Sequence, residues 1–273
     1  MIDIRQTKRY VDYMQNVGWI VERKDRVNYF IKKIPVIGSF IKIQRPQKLD
    51  FNQINRIAKK HRAFQIVIEP FDFAQGKPLI KRGFKLTKSP YLPSKTIEID
   101  LTKTENQLLG EMHHKTRYNI KIAKRNKLQV TSSSDMNSFV ELWLAAQPSR
   151  RLLKLGKSIH ALHSAFGKNS HLLLAHKSNK LLAGILMPET GSVAYYMYAA
   201  ATPEGKKLFA PTLVTWEAIK LAKKLKCKLF DLEGVYDDRF PLKSWLGFTR
   251  FKKSFGGKEA VYPGAFTKWR LPL

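Results

Sequence analysis

The apolar positions of this chain recur with a helical period in some stretches and with a strand period in others, which predicts a mixture of helices and strands from end to end. In the first hundred residues the pattern predicts a helix at Gln6–Val17, strands at Trp19–Arg23, Arg26–Lys33 and Phe40–Ile43, a helix after Asp50, and strands at Gln65–Glu69 and Lys95–Asp100. Asp50 is the expected N-cap of its helix, because an aspartate side chain accepts unpaired amide hydrogens of the first turn.

The remaining residues predict helices first and strands afterwards. Thr104, followed by Gln107 three residues later, fits a capping box at the start of one helix, and Ser134 or Asp135 can cap a second helix, which Pro148 ends. The elements predicted next are a helix around Ile159–Phe166, strands at His171–His176, Leu181–Pro188 and Ser192–Ala200, a helix at Pro211–Leu225, and strands at Lys228–Leu232 and Phe248–Phe255. Helices, a three-stranded meander, then a helix and a strand form an α+β order that is similar to the GNAT acetyltransferase-like fold.

Composition adds a strong positive charge to this picture. The 273 residues suit two small domains or one large one, and 50 Lys and Arg against 21 Asp and Glu give a net charge of +29. Such a charge favours polyanionic partners: nucleic acid, phosphorylated metabolites or an anionic membrane face. A solvated basic surface is the alternative interpretation.

The sequence also predicts the cellular location of the protein. No apolar run approaches the roughly 20 residues of a membrane span, and the N-terminus lacks the apolar core of a secretion signal. We therefore expect a cytoplasmic protein, with peripheral contact at the inner face of the membrane as a further expectation.

Several kinds of chemistry are excluded by motifs that the sequence lacks. A single cysteine rules out an internal disulfide and a cysteine zinc cluster. No HExxH, GxSxG or phosphate-binding P-loop pattern is present. The segment Ala201–Ala210 has one glycine where a CoA pyrophosphate loop normally uses two. We therefore expect neither a metal nor another cofactor.

The most suggestive residues lie in the last third of the chain. Tyr196 and Tyr198 are two apart on a predicted strand, so both face one side, either as a core strand or as a substrate wall with two hydroxyls. Asp231 and Glu233 end another predicted strand, where carboxylates can hold an amine or take its proton, or else form caps and ion pairs.

A lysine set among aromatic residues is the sharpest candidate. In the strand predicted over Phe248–Phe255, Phe251 and Lys253 share one face and Lys252 lies on the other. Lys252 either faces solvent or, if it faces a cleft, can stabilise an oxyanion during acyl transfer. Gly256 and Gly257 would then let the backbone turn tightly.

Four segments in this order resemble the Fem family of peptidoglycan-bridge aminoacyl transferases: RYNIKIAKRNKLQV at 117–130, YYMYAAA at 195–201, APTLVTWEAIKLAKKLKCKLFDLEGV at 210–235 and FKKSFGG at 251–257. The resemblance implies an α+β protein of two GNAT-like domains packed around a cleft, here without a coiled-coil arm. We expect a short, divergent N-terminal domain at 1–100 and a C-terminal domain at 101–273.

The resemblance also implies an activity. Fem enzymes move an amino acid from aminoacyl-tRNA to the stem-peptide amine of a peptidoglycan precursor, either UDP-linked or lipid-linked, without metal or CoA. Lys252 of the Phe251–Lys252 pair matches the family's lysine that stabilises the tetrahedral intermediate or the leaving ribose. Arg150 or Arg151 matches the arginine that binds the precursor's diphosphate. We further expect a monomer.

The remaining site residues are assigned to substrates. Tyr196 and Tyr198 match the family's YxYA strand and are expected, with Phe251 and Glu233, to bind substrate, and Asp231 is the expected catalytic carboxylate. A helical face carrying Arg117, Lys121 and Lys124, together with Lys253, is expected to bind the tRNA backbone.

The sequence departs from the family near its N-terminus. Gln6-Thr7 and Tyr10 fit, but the family's next lysine, which shares the diphosphate, falls near Asp12 or Tyr13. Lys8, Arg9 or Lys42 is the expected replacement, unless the precursor binds differently. Two other functions stay open at this point: another GNAT-type N-acyltransferase that uses acyl-CoA or an acyl carrier, and a non-catalytic polyanion-binding protein.

Overall fold

The computed structural model describes residues 2–146 and 153–271, and its chain forms two compact units. The first unit contains Met1–Lys95, Tyr236–Lys243 and Ala260–Leu273, and the second contains Thr96–Val235 and Ser244–Glu259. The change of unit after Lys95 falls near the domain boundary predicted at residue 100. The segments Tyr236–Lys243 and Ala260–Leu273, which that prediction assigned to the second domain, group with the first unit, and 266–269 of the latter forms a strand of its sheet.

The first unit is built on a six-stranded sheet in the order β1-β2-β3-β4-β14-β5. Its elements are α1 (Lys8–Asn16), β1 (Ile20–Lys24), β2 (Val27–Ile34), β3 (Gly38–Gln44), α2 (Phe51–Lys60), β4 (Ala63–Glu69), α3 (Gly76–Lys81), β5 (Lys85–Leu86) and β14 (Phe266–Trp269). Strands β1, β2 and β3 are antiparallel, whereas β3 and β4 are parallel, with α2 as the connection between them.

The core of the first unit follows the predicted periodicity. Asp50 caps α2 by accepting a hydrogen bond from the Gln53 amide at 3.0 Å, as predicted. Ile54 and Ile57 on the buried face of α2 pack with the isoleucines of β3 and β4. The sheet is therefore covered by an amphipathic helix with the expected 3.6-residue spacing.

The second unit contains most of the helices. Its elements are β6 (Lys95–Asp100), α4 (Glu105–Glu111), α5 (His114–Arg125), β7 (Gln129–Ser133), α6 (Met136–Ala145), α7 (Leu153–Phe166), β8 (Ser170–Lys177), β9 (Lys180–Pro188), β10 (Val193–Tyr195), β11 (Tyr198–Ala201), α8 (Pro203–Lys207), α9 (Ala210–Lys224), β12 (Leu229–Gly234), α10 (Leu246–Lys253) and β13 (Lys258–Val261), the last of which runs across the boundary of the unit.

Local signals in the second unit are confirmed. The capping box of Thr104 and Gln107 is present at α4, and Asp135 caps α6. The predicted antiparallel meander exists as β8, β9 and β11, which join β7 in the order β11-β9-β8-β7. The buried face of α9, including Leu213, lies in the same hydrophobic cluster as residues of β8 and β9.

Two predicted strands are wrong. Phe248–Phe255 is not a strand, because Leu246–Lys253 forms the helix α10. Ser192–Ala200 is not one strand, because β10 pairs with β12 in a sheet of order β10-β12-β6-β13, while β11 pairs with β9. Met197 lies at the break between the two sheets, where the strand alternation cannot continue.

None of the helices within the described ranges is long and apolar enough to cross a membrane.

Candidate active site

A cavity of about 500 Å³ opens in the second unit beside the predicted lysine. Tyr196, which follows β10, and three residues of β11 lie on its wall. The cavity lining comes from the end of α6, from β9, β11, α8, α9 and α10, and from Tyr196 between β10 and β11: Ala146, Gly184, Ile185, Tyr196, Ala199, Ala200, Ala201, Lys206, Pro211, Val214, Gly247, Phe248 and Phe251. The walls are mainly apolar and Lys206 is the cation among them.

Lys252 is buried next to this cavity. The residue is 8% exposed, and its Nζ donates a hydrogen bond to the Gly234 carbonyl oxygen at 2.8 Å. The same Nζ lies 5.5 Å from the ring centre of Tyr196 and 5.0 Å from that of Phe248. Aromatic faces attract a cation, so the two rings partly replace the water that Lys252 has lost.

Burial lowers the pKa of Lys252 to about 8, although Glu233 and Asp231 act in the opposite direction. A buried ammonium with a pKa near neutrality is a group that can stabilise a negative charge and also transfer a proton.

Tyr196 joins the lysine to the cavity wall. Burial raises the pKa of its hydroxyl to about 12, against a smaller opposing effect of a hydrogen bond with Thr215. Its backbone amide donates to the Asp231 carbonyl oxygen at 2.9 Å. Tyr196 is therefore a neutral hydroxyl fixed at the end of β10.

Asp231 and Glu233 lie at the irregular end of β12. The Asp231 carboxylate accepts hydrogen bonds from the Thr96 hydroxyl and from the Glu233 amide, the latter at 2.7 Å. Glu233 has a φ of +57°, in the left-handed region that non-glycine residues seldom adopt. The β12–β6 register shifts between Asp231 and Gly234, so the carboxylate of Asp231 supports a bulge that aims the Gly234 carbonyl at Lys252.

The other predicted substrate residues are placed differently. Phe251 lines the cavity and packs edge-on against Phe255 at 5.1 Å. Tyr198 lies on β11 and its ring meets that of Trp143 edge-on at 5.8 Å. Arg150 and Arg151 lie outside the described residues.

The predicted basic face on α5 contains one arginine that is hydrogen-bonded to the backbone and two lysines that are exposed. Arg117 donates to the carbonyl oxygens of Leu109 and Met112 at the end of α4, the first at 3.3 Å. Lys121 is exposed, and Lys124 is exposed with its Nζ 4.0 Å from Glu217. Lys253, on α10, pairs with Glu259 at 2.7 Å. Lys121 and Lys124 are thus better placed for a polyanion than Arg117.

The segment Ala201–Ala210, which has one glycine where a CoA loop normally uses two, contains the short helix α8, and that glycine has a structural role. Thr202 caps α8 by accepting a hydrogen bond from the Gly205 amide at 2.9 Å. A Cβ on Gly205 would lie 2.3 Å from the Leu182 carbonyl oxygen. The glycine therefore allows α8 to pack tightly on β9, and its amide is already used.

The N-terminal residues of the resemblance form a structural network in the first unit. The Gln6 side chain accepts a hydrogen bond from the Asn28 amide at 2.8 Å, and Thr7 caps α1. Of the expected replacement cations, Lys8 and Arg9 are exposed, whereas Lys42 Nζ lies 4.3 Å from the ring centre of Trp19. Burial lowers the pKa of Lys42.

Sequence reasoning missed three residues of the site. Phe248 and Gly247 belong to the cavity because α10 is a helix, and Thr96 holds Asp231 from the neighbouring strand. The helical spacing of Phe248, Phe251 and Phe255 was a signal that could have identified Phe248 and Gly247. No local signal identifies Thr96, because its partner lies more than a hundred residues away.

Among residues 2–146 and 153–271, no three His, Cys, Asp or Glu side chains are grouped closely enough to hold a metal ion.

Comparison with known proteins supports the sequence interpretation. Residues 145–273 match the model of the FemAB family. The whole fold is similar to a crystal structure of FemX, with 17% sequence identity, a TM-score of 0.81 and coverage of 98% of this chain and 92% of that one. No curated protein sequence matches the chain.

Two further solved structures share the fold. One is a conserved protein of unknown function from Bacteroides thetaiotaomicron, with 12% identity, a TM-score of 0.67 and coverage of 96% of this chain and 90% of that one. The other is a tandem GNAT protein from the clavulanic acid biosynthesis pathway, with 9% identity, a TM-score of 0.54 and coverage of 89% and 82%. The predicted resemblance and the predicted α+β fold of two GNAT-like domains are confirmed.

Proposed function

Because residues 145–273 of this chain match the model of the FemAB family, we propose that the protein is a Fem-type aminoacyl transferase that takes part in building peptidoglycan cross-bridges. The observation that carries the proposal is the buried Lys252 beside an apolar cavity, within the segment that matches the family. The rest of the site is consistent with transfer of an acyl group to an amine.

The finer proposal is that the donor is aminoacyl-tRNA and the acceptor is the stem-peptide amine of a UDP-linked or lipid-linked muramyl pentapeptide. Both substrates carry phosphate, and a net charge of +29 attracts such polyanions. The acceptor amine attacks the ester carbonyl carbon, a carbon–nitrogen bond forms, and the ester carbon–oxygen bond breaks. The proton lost by the amine ends on the 3′ oxygen of the departing tRNA.

Lys252 is proposed to stabilise the charge that develops in this reaction. In the tetrahedral intermediate the ester carbonyl oxygen becomes an oxyanion, and a buried ammonium stabilises an anion more strongly than one in water does. Its hydrogen bond to the Gly234 oxygen fixes the position of Nζ before substrate arrives. With a pKa of about 8, the same ammonium can give a proton to the leaving oxygen.

Glu233 is proposed to hold the acceptor amine, and Asp231 to keep Glu233 in place. Glu233 and Asp231 both act to raise the pKa of Lys252, and Glu233 has the larger effect. Glu233 therefore interacts electrostatically with the catalytic cation. Asp231 already accepts hydrogen bonds from Thr96 and from the Glu233 amide. In this proposal Asp231 is a positioning residue for the bulge. The catalytic role that the sequence predicted for Asp231 stays a prediction.

The cavity is proposed to receive the amino acid carried by the tRNA. Phe248, Phe251 and Ile185 give it apolar walls, and Tyr196 brings a neutral hydroxyl to the side nearest Lys252. An aminoacyl group seated there would present its ester to the ammonium. Lys206 on the lining is suitably charged for the terminal phosphates of the tRNA.

The test is an incubation of the protein with a mixed pool of charged tRNAs and with each of the two precursors, followed by the mass of the product. We expect the precursor to gain the mass of one or more amino acid residues, and only when charged tRNA is present. A matched reaction with acetyl-CoA in place of tRNA should give no product. Gain of an acetyl group instead would assign the protein to the CoA-dependent acyltransferases.

A further inference from the structure

One end of the sheet in the first unit exposes large apolar side chains on separate segments. At the β2–β3 turn Val36 is fully exposed and Ile37 is 54% exposed. At the end of β14 Trp269 is 65% exposed and Leu271 is 81% exposed. Exposed apolar groups that cluster in this way mark an interaction surface rather than ordinary surface scatter.

The strand register puts these segments at the same end of the sheet. Ile34 pairs with Gly38 across the β2–β3 turn, and Ser39 is the partner of Ala63, the first residue of β4. β14 is antiparallel to β4, and the Arg270 amide donates to the Phe64 carbonyl oxygen at 2.7 Å. The end of β14 therefore lies beside the start of β4, next to the β2–β3 turn.

The β2–β3 turn has a strained tip. Val36 has a φ of +68°, and the Ile37 amide donates to the Pro35 carbonyl oxygen at 2.8 Å, which closes a three-residue turn. A β-branched residue in the left-handed region is an outlier. Glycine would relieve this strain, so the valine side chain is kept at a conformational cost although it contacts solvent.

The charges around the tip are mainly positive. Segments 32–38, 59–64 and 268–271 contain lysine and arginine, 17–20 is uncharged, and the neighbouring carboxylate of Glu22 is paired with Lys60 at 2.8 Å. Lys32, Lys33, Lys59 and Arg62 are all exposed. Each basic side chain near an anionic membrane adds to the electrostatic attraction.

We propose that this end of the sheet, which we call the basic apolar end (17–20, 32–38, 59–64 and 268–271), docks on an anionic lipid bilayer. The tip inserts Val36 and Ile37 among the acyl chains, Trp269 lies at headgroup depth, and the lysines and arginines contact lipid phosphates. Tryptophan suits this depth because its ring is apolar and its N–H is polar.

A bilayer fits this surface better than a protein partner does. The exposed apolar side chains are on one turn and one strand end, which suits insertion to a shallow depth. The excess of lysine and arginine at this end, where the neighbouring Glu22 is already paired with Lys60, matches a uniformly anionic plane, whereas a protein interface usually carries a rim of mixed polar groups.

The first experiment measures binding of the full chain to vesicles that contain no peptidoglycan precursor, so its outcome is independent of the transferase proposal. Vesicles of phosphatidylcholine with phosphatidylglycerol are compared with vesicles of phosphatidylcholine alone. We expect sedimentation with the anionic vesicles only. The Val36→Gly variant should bind at least roughly tenfold more weakly, since burial of each CH₂ group in a membrane is favourable.

Thermal unfolding of the same variant separates docking from folding. Glycine accepts the +68° conformation, so Val36→Gly should unfold at the same temperature as the parent or higher. The matched control is Ile80→Ser, which removes an apolar side chain that is 61% exposed on α3 of the same unit, and it should bind vesicles like the parent. Equal binding by Val36→Gly and the parent would overturn the insertion of the tip.

A second experiment reports depth directly. An environment-sensitive fluorophore is attached at Ile37→Cys in a chain that also carries Cys227→Ser, and its spectrum should shift to the blue when anionic vesicles are added. The same label at Leu86→Cys, on β5, should not shift. If neither label shifts while both proteins bind, the contact is electrostatic only. Failure to bind any vesicle would overturn the proposal.

Discussion

The Lys252 ammonium and the Gly234 carbonyl oxygen are hydrogen-bonded at 2.8 Å, which joins helix α10 to the bulged end of β12. Gly234 can present this oxygen because the strand register shifts after Asp231, and the left-handed Glu233 turns the backbone. The pair therefore explains why a cation is tolerated in a place where it is 8% exposed.

Replacing Lys252 by methionine should lower turnover by roughly a hundredfold or more, the usual cost of losing a group that stabilises an oxyanion. Methionine keeps most of the volume and removes the charge, so binding of tRNA should fall only slightly. The measurement is turnover in the transfer reaction together with tRNA affinity. Lys224→Met, at an exposed position of α9, is the control and should resemble the parent. Equal turnover in Lys252→Met and the parent would contradict the proposed role.

Turnover and the free energy of unfolding should change in opposite directions as pH rises. Burial lowers the pKa of Lys252 to about 8 in the folded chain, from an ordinary value of 10.5. Turnover that needs the ammonium should fall as pH rises through about 8. The free energy of unfolding should instead rise between about 8 and 10.5, because the unfolded chain binds the proton more tightly there.

The control for both trends is the methionine variant. Lys252→Met should lose the rise in stability over that window, as followed by chemical denaturation at a series of pH values. A parent protein whose stability does not change over the window would show that the lysine is not desolvated in solution.

Local signals in the sequence predicted three of the helix starts correctly. Thr104, Asp50 and Asp135 each cap the helix expected of them, because a cap depends on an amide only a few residues away. The three-stranded meander was also predictable, since its strands follow one another along the chain with short turns. These features carried enough information to identify the GNAT-like fold of the second unit.

The site itself was only partly predictable. Phe251 and Phe255 are consistent with a strand period of two as well as with a helix, and the strand interpretation missed Phe248. The strand through Tyr196 divides because its two halves find different partners, Tyr195 opposite Asp231 and Tyr198 opposite Leu186. Such pairings are long-range, so no local pattern of apolar residues records them.

Gly205→Ala should destabilise the second unit by about 2 kcal/mol or more, the range of changes that force backbone to move. A Cβ there would lie 2.3 Å from the Leu182 carbonyl oxygen. The matched control is Gly110→Ala on α4, where nothing lies within 4 Å of the new Cβ. Alanine should stabilise that helix slightly, and denaturant unfolding of both variants measures the difference. Equal effects at the two positions would contradict the packing role of Gly205.

Asp237→Asn should lower the free energy of unfolding at neutral pH by about 2 kcal/mol, since hydrogen bonds to a charged group are strong. Burial raises the pKa of Asp237, but hydrogen bonds from Arg239 and Ser94 outweigh it and hold the pKa at about 2. This contribution should be complete above the ordinary value of 3.8 and lost as pH falls through about 2. Unfolding curves of parent and variant should therefore converge in acid, whereas a constant difference would assign the effect to packing.

Lys121→Gln and Arg117→Gln should separate nucleic-acid binding from helix stability on the same face of α5. Lys121 is exposed, so its loss should weaken tRNA binding and reduce the slope of log affinity against log salt by roughly one. Arg117 donates to carbonyl oxygens at the end of α4, so its loss should lower the unfolding temperature more than the affinity. Binding titrations at several salt concentrations, paired with thermal unfolding of each variant, give the comparison. An unchanged salt slope in Lys121→Gln would remove this face from the tRNA interface, and the positive charge responsible would then have to lie elsewhere on the chain.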